Sequence, residues 1–194
     1  EAGSFPFVRI TRILVRTHCI RAMISSLLVC ALGFTARTSV PSSVASRSAV
    51  QMLKVGEKMP AFTLPNAVTG KPVKISPSKS VIFFFPAADT PGCTKEAIAF
   101  SEQLREFKGA KVYGITGGNT DKVTSWVESN NIKGITLLAD DGDEVRKLFA
   151  VPKAAFGLLP GRVTYVTDRT GTCVEVYDNL FDAESHVGKA LAAI

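Results

Sequence analysis

A chain of 194 residues, 46% of them hydrophobic, holds enough apolar material for one packed domain and an extension. Its formal charge of +6 would suit a polyanionic partner, but the charge is uneven: residues 1–52 carry six arginines, no lysine and one acid, whereas the remainder carries 17 basic and 16 acidic residues. The folded part is therefore close to neutral, which argues against a nucleic-acid-binding face.

Residues 1–51 read as a targeting leader. No acid occurs between Ala2 and Gly56. The apolar run Ile24 to Phe34 is too short for a transmembrane helix. It contains Ala31-Leu32-Gly33, a small-x-small pattern suited to cleavage ahead of Phe34. The following stretch, Thr35 to Val50, has five serines together with Arg37 and Arg47, and resembles a transit peptide. A signal peptide followed by a transit peptide that begins with Phe resembles the bipartite leader of plastids acquired by secondary endosymbiosis. The expectation is a plastid location and a mature chain free of the membrane, with a secreted protein or another organelle as the alternative.

The second segment, 52–194, is expected to be one domain. Met59-Pro60 and Leu64-Pro65 favour extended backbone, and Thr69-Gly70 and Ser76 to Ser80 read as turns. The short apolar run Val81-Ile82-Phe83-Phe84-Phe85 predicts a buried strand that Pro86 ends. After a polar turn, Cys93, Ala97, Phe100, Leu104 and Phe107 recur at helical steps. Lys111 to Thr116 is the next strand, and Gly117-Gly118-Asn119 breaks it. Thr120 is expected to cap a helix running through Glu128. A strand over Ile135 to Ala139 and a short helix over Asp141 to Phe149 follow. Arg162 to Thr167 and Cys173 to Tyr177 form a hairpin across Asp168-Arg169-Thr170-Gly171. A closing helix spans Asp182 to Ile194, with Asp182 as its cap. Alternating strands and helices that finish on a hairpin predict an α/β fold with a central mixed sheet flanked by helices.

The chemistry gathers at Cys93. A thiol in the first turn of a helix, just past a central strand, lies against free backbone N–H groups and the positive end of the helix dipole. Such a position favours thiolate, and Thr90 is placed to turn its hydroxyl back at the sulfur. A buried structural cysteine is the alternative. The pattern Pro86-x-x-x-Thr90-x-x-Cys93 resembles the active-site signature of the peroxiredoxins. The longer string Phe85 to Ala97, FPAADTPGCTKEA, resembles their bacterioferritin-comigratory/peroxiredoxin Q branch, as do Leu148-Phe149-Ala150-Val151-Pro152 and Leu159-Pro160-Gly161-Arg162-Val163-Thr164-Tyr165-Val166 downstream.

The resemblance implies a thioredoxin-like fold and a monomer. It also implies a thiol peroxidase acting on hydrogen peroxide and small organic hydroperoxides, with no cofactor and no metal. Cys93 would be the peroxidatic nucleophile, Thr90 and Arg162 would hold sulfur and peroxide, and Pro86 would shield the pocket. Glu96 matches the family pattern, but on a first helical turn it is expected only to complement the dipole. Members of this branch often carry a resolving cysteine five residues after the first; here Ile98 stands there. Cys173 is the only other thiol outside the leader, which holds Cys19 and Cys30. To resolve Cys93 it would have to come within a Cα separation of about 7 Å; a small buried strand residue is the competing expectation. Regeneration would otherwise fall to an external thiol: thioredoxin, glutaredoxin with glutathione, or a small-molecule reductant.

Other chemistries fit less well. A cysteine hydrolase needs a histidine base, and His186 is expected to be solvated on the closing helix. A thioredoxin-type oxidoreductase needs Cys-x-x-Cys, but position 96 is Glu. Trp126 reads as packing. A peroxide-sensing relay or binding protein that uses Cys93 with little turnover is the alternative function.

Overall fold

The structure is a computed structural model and describes residues 52–154 and 156–194. The expected leader lies outside the described residues. The centre is a five-stranded sheet built from β3 (Ser80–Phe84), β4 (Lys111–Thr116), β5 (Thr136–Ala139), β8 (Val163–Thr167) and β9 (Cys173–Asp178), in the order β5-β4-β3-β8-β9. β3 pairs parallel to β4 and antiparallel to β8, so the sheet is mixed, as expected. Every residue of β3 is buried, which is why its sequence is a continuous apolar run without alternation.

Successive side chains of β3 point to opposite faces and seed two cores. Val81, Phe83 and Phe85 pack with Cys93, Ala97 and Phe100 of α1 (Pro91–Glu102), with Trp126 of α2 (Val123–Ser129), and with Val187 and Ala190 of α4 (Ser185–Ala192). Phe83 stacks on Phe100 with ring centroids 4.4 Å apart. Ile82 and Phe84 face the other way, against Tyr165, Phe149, Val145 of α3 (Glu144–Leu148), and a separate hairpin of β1 (Phe62–Pro65) and β2 (Pro72–Ile75).

That hairpin goes beyond the expectation of extended segments around a Thr69-Gly70 turn. Asn66 closes it, its Oδ1 accepting from the N–H groups of Val68 and Thr69 at 2.9 Å each. A second short pair, β6 (Lys153–Ala154) and β7 (Leu159–Pro160), was also not foreseen.

Several helix boundaries differ from expectation, each for a local reason. Thr120 does not cap α2: Asn119 takes a left-handed φ of 54°, and a 3-10 turn over Thr120–Lys122 leads into the helix. α3 begins late because Asp143 is left-handed, and its first N–H groups are taken by the buried Asp140 carboxylate, from Val145 at 3.2 Å and Arg146 at 2.8 Å. α4 starts at Ser185, three residues after Asp182, whose Oδ1 accepts the Ser185 N–H at 3.2 Å. Among the described residues no helix is long and apolar enough to cross a membrane.

Candidate active site

The site forms where β3 hands over to α1. Pro86 follows the strand, half-buried, and the chain turns through Asp89 at a φ of 58° before Thr90 starts the helix in extended conformation. Cys93 is the third residue of α1 and only 1% exposed. The Thr90 hydroxyl donates to the Ala87 carbonyl at 3.0 Å and makes no capping bond to the helix. Its hydrogen is thus committed to the backbone, and only its oxygen lone pairs are left to accept. The Gly92 and Cys93 N–H groups, in the first turn of α1, have no intrahelical partner and receive no cap from the Thr90 side chain, and Pro91 has no N–H at all.

Arg162 sits immediately before β8 and is 4% exposed, not a surface arginine. Its Nη2 donates to Cys93 Sγ at 3.4 Å, its Nε to the Leu180 carbonyl at 3.1 Å, and its Nη1 is in contact with Glu96 Oε2. A guanidinium is charged throughout the physiological range and presents its donors in one plane. It can therefore hold a thiolate on one edge while another edge is anchored in protein.

Glu96 is the residue the sequence reading underrated. It is fully buried, and its Oε1 has no hydrogen-bond partner. Burial pushes its carboxyl up to about 8, against the pull of Arg162. Its spacing held the signal: Cys93, Glu96, Ala97 and Phe100 fall on one helical face, the face that packs inward. His186 is likewise buried, not solvated. Its Nε2 donates to the Asn179 carbonyl at 2.8 Å, and its Nδ1 lies 2.8 Å from Thr164 Oγ1 and 3.8 Å from Glu96 Oε1. Burial lowers its pKa to about 4, so the ring is neutral at physiological pH and the approach to Glu96 is not an ion pair.

Arg146, also unforeseen, ties together the two chain segments that meet at the site. It donates to the Gly161 carbonyl at 2.8 Å and to the Phe85 carbonyl at 2.9 Å, the residues directly before Arg162 and Pro86. Trp126 packs as expected, but its Nε1 also donates to Thr94 Oγ1 at 2.9 Å, one residue beyond Cys93.

Cys173 is elsewhere. It is buried on β9 in the core on the opposite face of the sheet from Cys93, its Sγ donating to the Glu175 carbonyl at 3.4 Å. Burial pushes its thiol up to about 11. Ile98, partly buried, packs against the core that holds Cys93.

Residues 55–176 match the model of the AhpC/TSA family. The chain belongs to that family. Curated relatives of this AhpC/TSA member include the chloroplastic peroxiredoxin Q of Sedum lineare, 42% identical over 141 residues that cover 70% of this chain and 75% of the relative. The chloroplastic peroxiredoxin Q of Arabidopsis thaliana is 40% identical over 158 residues, covering 78% and 72%. Among solved structures, peroxidoxin BcpB from Mycobacterium tuberculosis superposes with a TM-score of 0.64 at 34% identity, over 73% of this chain and 96% of that one. A Xanthomonas campestris peroxiredoxin Q structure, at 24% identity and a TM-score of 0.59, matches 68% and 88% and shares the fold. This AhpC/TSA chain is a peroxiredoxin of the peroxiredoxin Q branch with a thioredoxin-like fold, and as such an enzyme that reduces peroxides at the expense of a thiol.

Proposed function

We propose that Cys93 is the peroxidatic cysteine, that hydrogen peroxide and small organic hydroperoxides are its substrates, and that an external thiol regenerates it. The observation that carries this reading is the Arg162 Nη2 contact with the Cys93 sulfur at the start of α1. The thiolate attacks the terminal oxygen of the hydroperoxide. An S–O bond forms, the O–O bond breaks, and the sulfur gives up two electrons. The alkoxide or hydroxide leaves and takes a proton, and Cys93 becomes a sulfenic acid. Arg162 and the free N–H groups of Gly92 and Cys93 offset the charge on the departing oxygen, the Thr90 hydroxyl oxygen accepts from the peroxide, and Pro86 shields the sulfur from solvent. With Cys93 only 1% exposed, small hydroperoxides reach it best.

Resolution by Cys173 would require it to cross the sheet, and Ile98 offers no sulfur. A reductant thiol therefore attacks the sulfenic sulfur, releases water and forms a mixed disulfide; a second thiol displaces it and restores Cys93. Thioredoxin, glutaredoxin with glutathione, and small thiols all fit this chemistry. By analogy with its chloroplastic relatives, and with the basic, serine-containing segment at residues 1–51, the protein acts in a plastid; the peroxiredoxin Q resemblance favours a monomer.

Intact mass after one equivalent of hydrogen peroxide tests the cysteine chemistry. The expected product is the mass plus one oxygen, trapped by dimedone at Cys93, with Cys173 refractory to iodoacetamide at pH 8 until the chain is unfolded. A peptide linking Cys93 to Cys173 would instead make Cys173 the resolving residue, and a mass that stays unchanged would sink the peroxidatic assignment. Sustained turnover with one of the reductants separates an enzyme from a peroxide-sensing relay, which stalls after one oxidation.

A further inference from the structure

Glu96, which meets Arg162 at Nη1 while the sulfur takes Nη2, belongs to a buried polar cluster that the reaction as described does not use. Glu96 from α1, Thr164 from β8 and His186 from α4 are each 0% exposed. A fully buried polar group is costly to place without partners, so three of them converging behind one guanidinium call for an account. The partners fix the state of the imidazole. The Asn179 carbonyl can only accept, so His186 Nε2 carries the hydrogen. In the neutral ring Nδ1 is then an acceptor, and Thr164 Oγ1 donates to it. The edge of the ring that faces Glu96 Oε1 at 3.8 Å therefore offers no hydrogen, and that oxygen is the one without a partner.

The backbone joins the same cluster. His186 holds the Asn179 carbonyl and Arg162 holds the next one, Leu180. The turn that carries both carbonyls is thus clamped from two sides, once by the imidazole and once by the guanidinium that faces Cys93.

We propose that His186 is a positioning residue for the peroxide reaction: its bond to Asn179 and its acceptor edge against Glu96 fix the rear of Arg162, and so aim the guanidinium at the Cys93 sulfur. The proposal rests on the peroxidatic assignment of Cys93. Presenting no donor to Glu96, the ring disfavours the ionised carboxylate, and burial acts in the same direction. A protonated Glu96 leaves the Arg162 charge undivided for the sulfur. The other groups that bear on His186 are Asp182 before α4 and Tyr177 of β9, whose ring centroid lies 4.7 Å away with Lys189 over its far side.

The test uses the full chain with H186F, H186Q and T164V. Two quantities are read: the second-order rate of Cys93 oxidation by hydrogen peroxide, and the pH profile of Cys93 labelling by iodoacetamide. H186F fills the space but loses both polar contacts. Its oxidation rate is expected to fall by about tenfold, on the scale of a catalytic group set off line by a fraction of an ångström, and its labelling profile to move to higher pH. H186Q, whose amide N–H can still reach the Asn179 carbonyl, is expected to recover at least half of each effect.

A folded H186F with rate and profile within twofold of the parent overturns the proposal. So does a rate loss with an unmoved labelling profile, or no recovery in H186Q, since each marks a packing role. Where H186F fails to fold, T164V decides: it keeps its volume and removes the donor to Nδ1, and parent-like values for both readouts overturn the proposal. If peroxide does not oxidise Cys93 in the parent, the peroxidatic assignment fails, while the labelling profiles still report whether His186 governs the Arg162–Cys93 contact.

Discussion

Glu96 and His186 are buried side by side with opposite titration behaviour, and the sum shows in stability. Glu96 has its pKa raised from 4.5 to about 8, so the folded protein holds this proton more tightly than the unfolded chain. Its contribution is complete below about 4.5 and is lost as pH rises through 8. His186 has its pKa lowered from 6.5 to about 4, so its contribution is complete above 6.5 and is lost as pH falls through 4. From pH 4.5 to 6.5 the two slopes oppose each other. Between 6.5 and 8 Glu96 acts alone, and the urea midpoint of the parent is expected to decline across that window. E96Q replaces the acid by a group of the same shape that does not titrate, and its midpoint should stay level from pH 6.5 to 8. An equal decline in both proteins would show that Glu96 is ionised throughout.

At the scale of elements, the start of α1 and the approach to β8 are fitted closely. A Cβ on Gly92 would lie 3.2 Å from Arg162 Nη2. The guanidinium is tethered to Cys93, Leu180 and Glu96, so it yields by leaving the sulfur. G92A is therefore expected to slow Cys93 oxidation by about tenfold while the thermal midpoint moves by only a few degrees, measured by peroxide competition and by calorimetry. A G92A protein that reacts at the parent rate would show that the Arg162 contact is dispensable.

The same elements show what a sequence discloses. The β3–α1 unit was readable because its signals are local: an apolar run, a proline, then helical spacing from Cys93. The β1–β2 hairpin was half readable. Phe62 and Leu64 alternate inward and Leu64-Pro65 favours extended backbone, but no local signal pairs the segment with Pro72–Ile75. The burial of Glu96 and His186 is not legible locally. Polar residues on helices usually face water, and the inward turn of Glu96 and His186 arises only when α4 packs beside α1 on the same core. Arg146 is a similar case, since its partners Phe85 and Gly161 are 61 and 15 residues away. Even so, Glu96 shares the helical spacing of Cys93 and Phe100, and that pattern was open to inspection.

As a whole molecule, the chain divides into two units, and the described residues lie in the second, Ser46–Ile194. The site draws every residue named above from that second unit. A chain shortened to 46–194 is expected to keep the thermal midpoint and the Cys93 oxidation rate of the full chain within twofold; loss of either would give the first unit a role in the fold. The second unit also contains the protein's single tryptophan. Trp126 is bonded to Thr94, beside the sulfur, and its ring lies 5.8 Å from that of Phe85 at the end of the central strand. An indole so placed senses the first turn of α1 directly. Its ultraviolet emission should change as Cys93 gains or loses oxygen, so the domain carries its own optical gauge of redox state, legible in stopped flow without a dye.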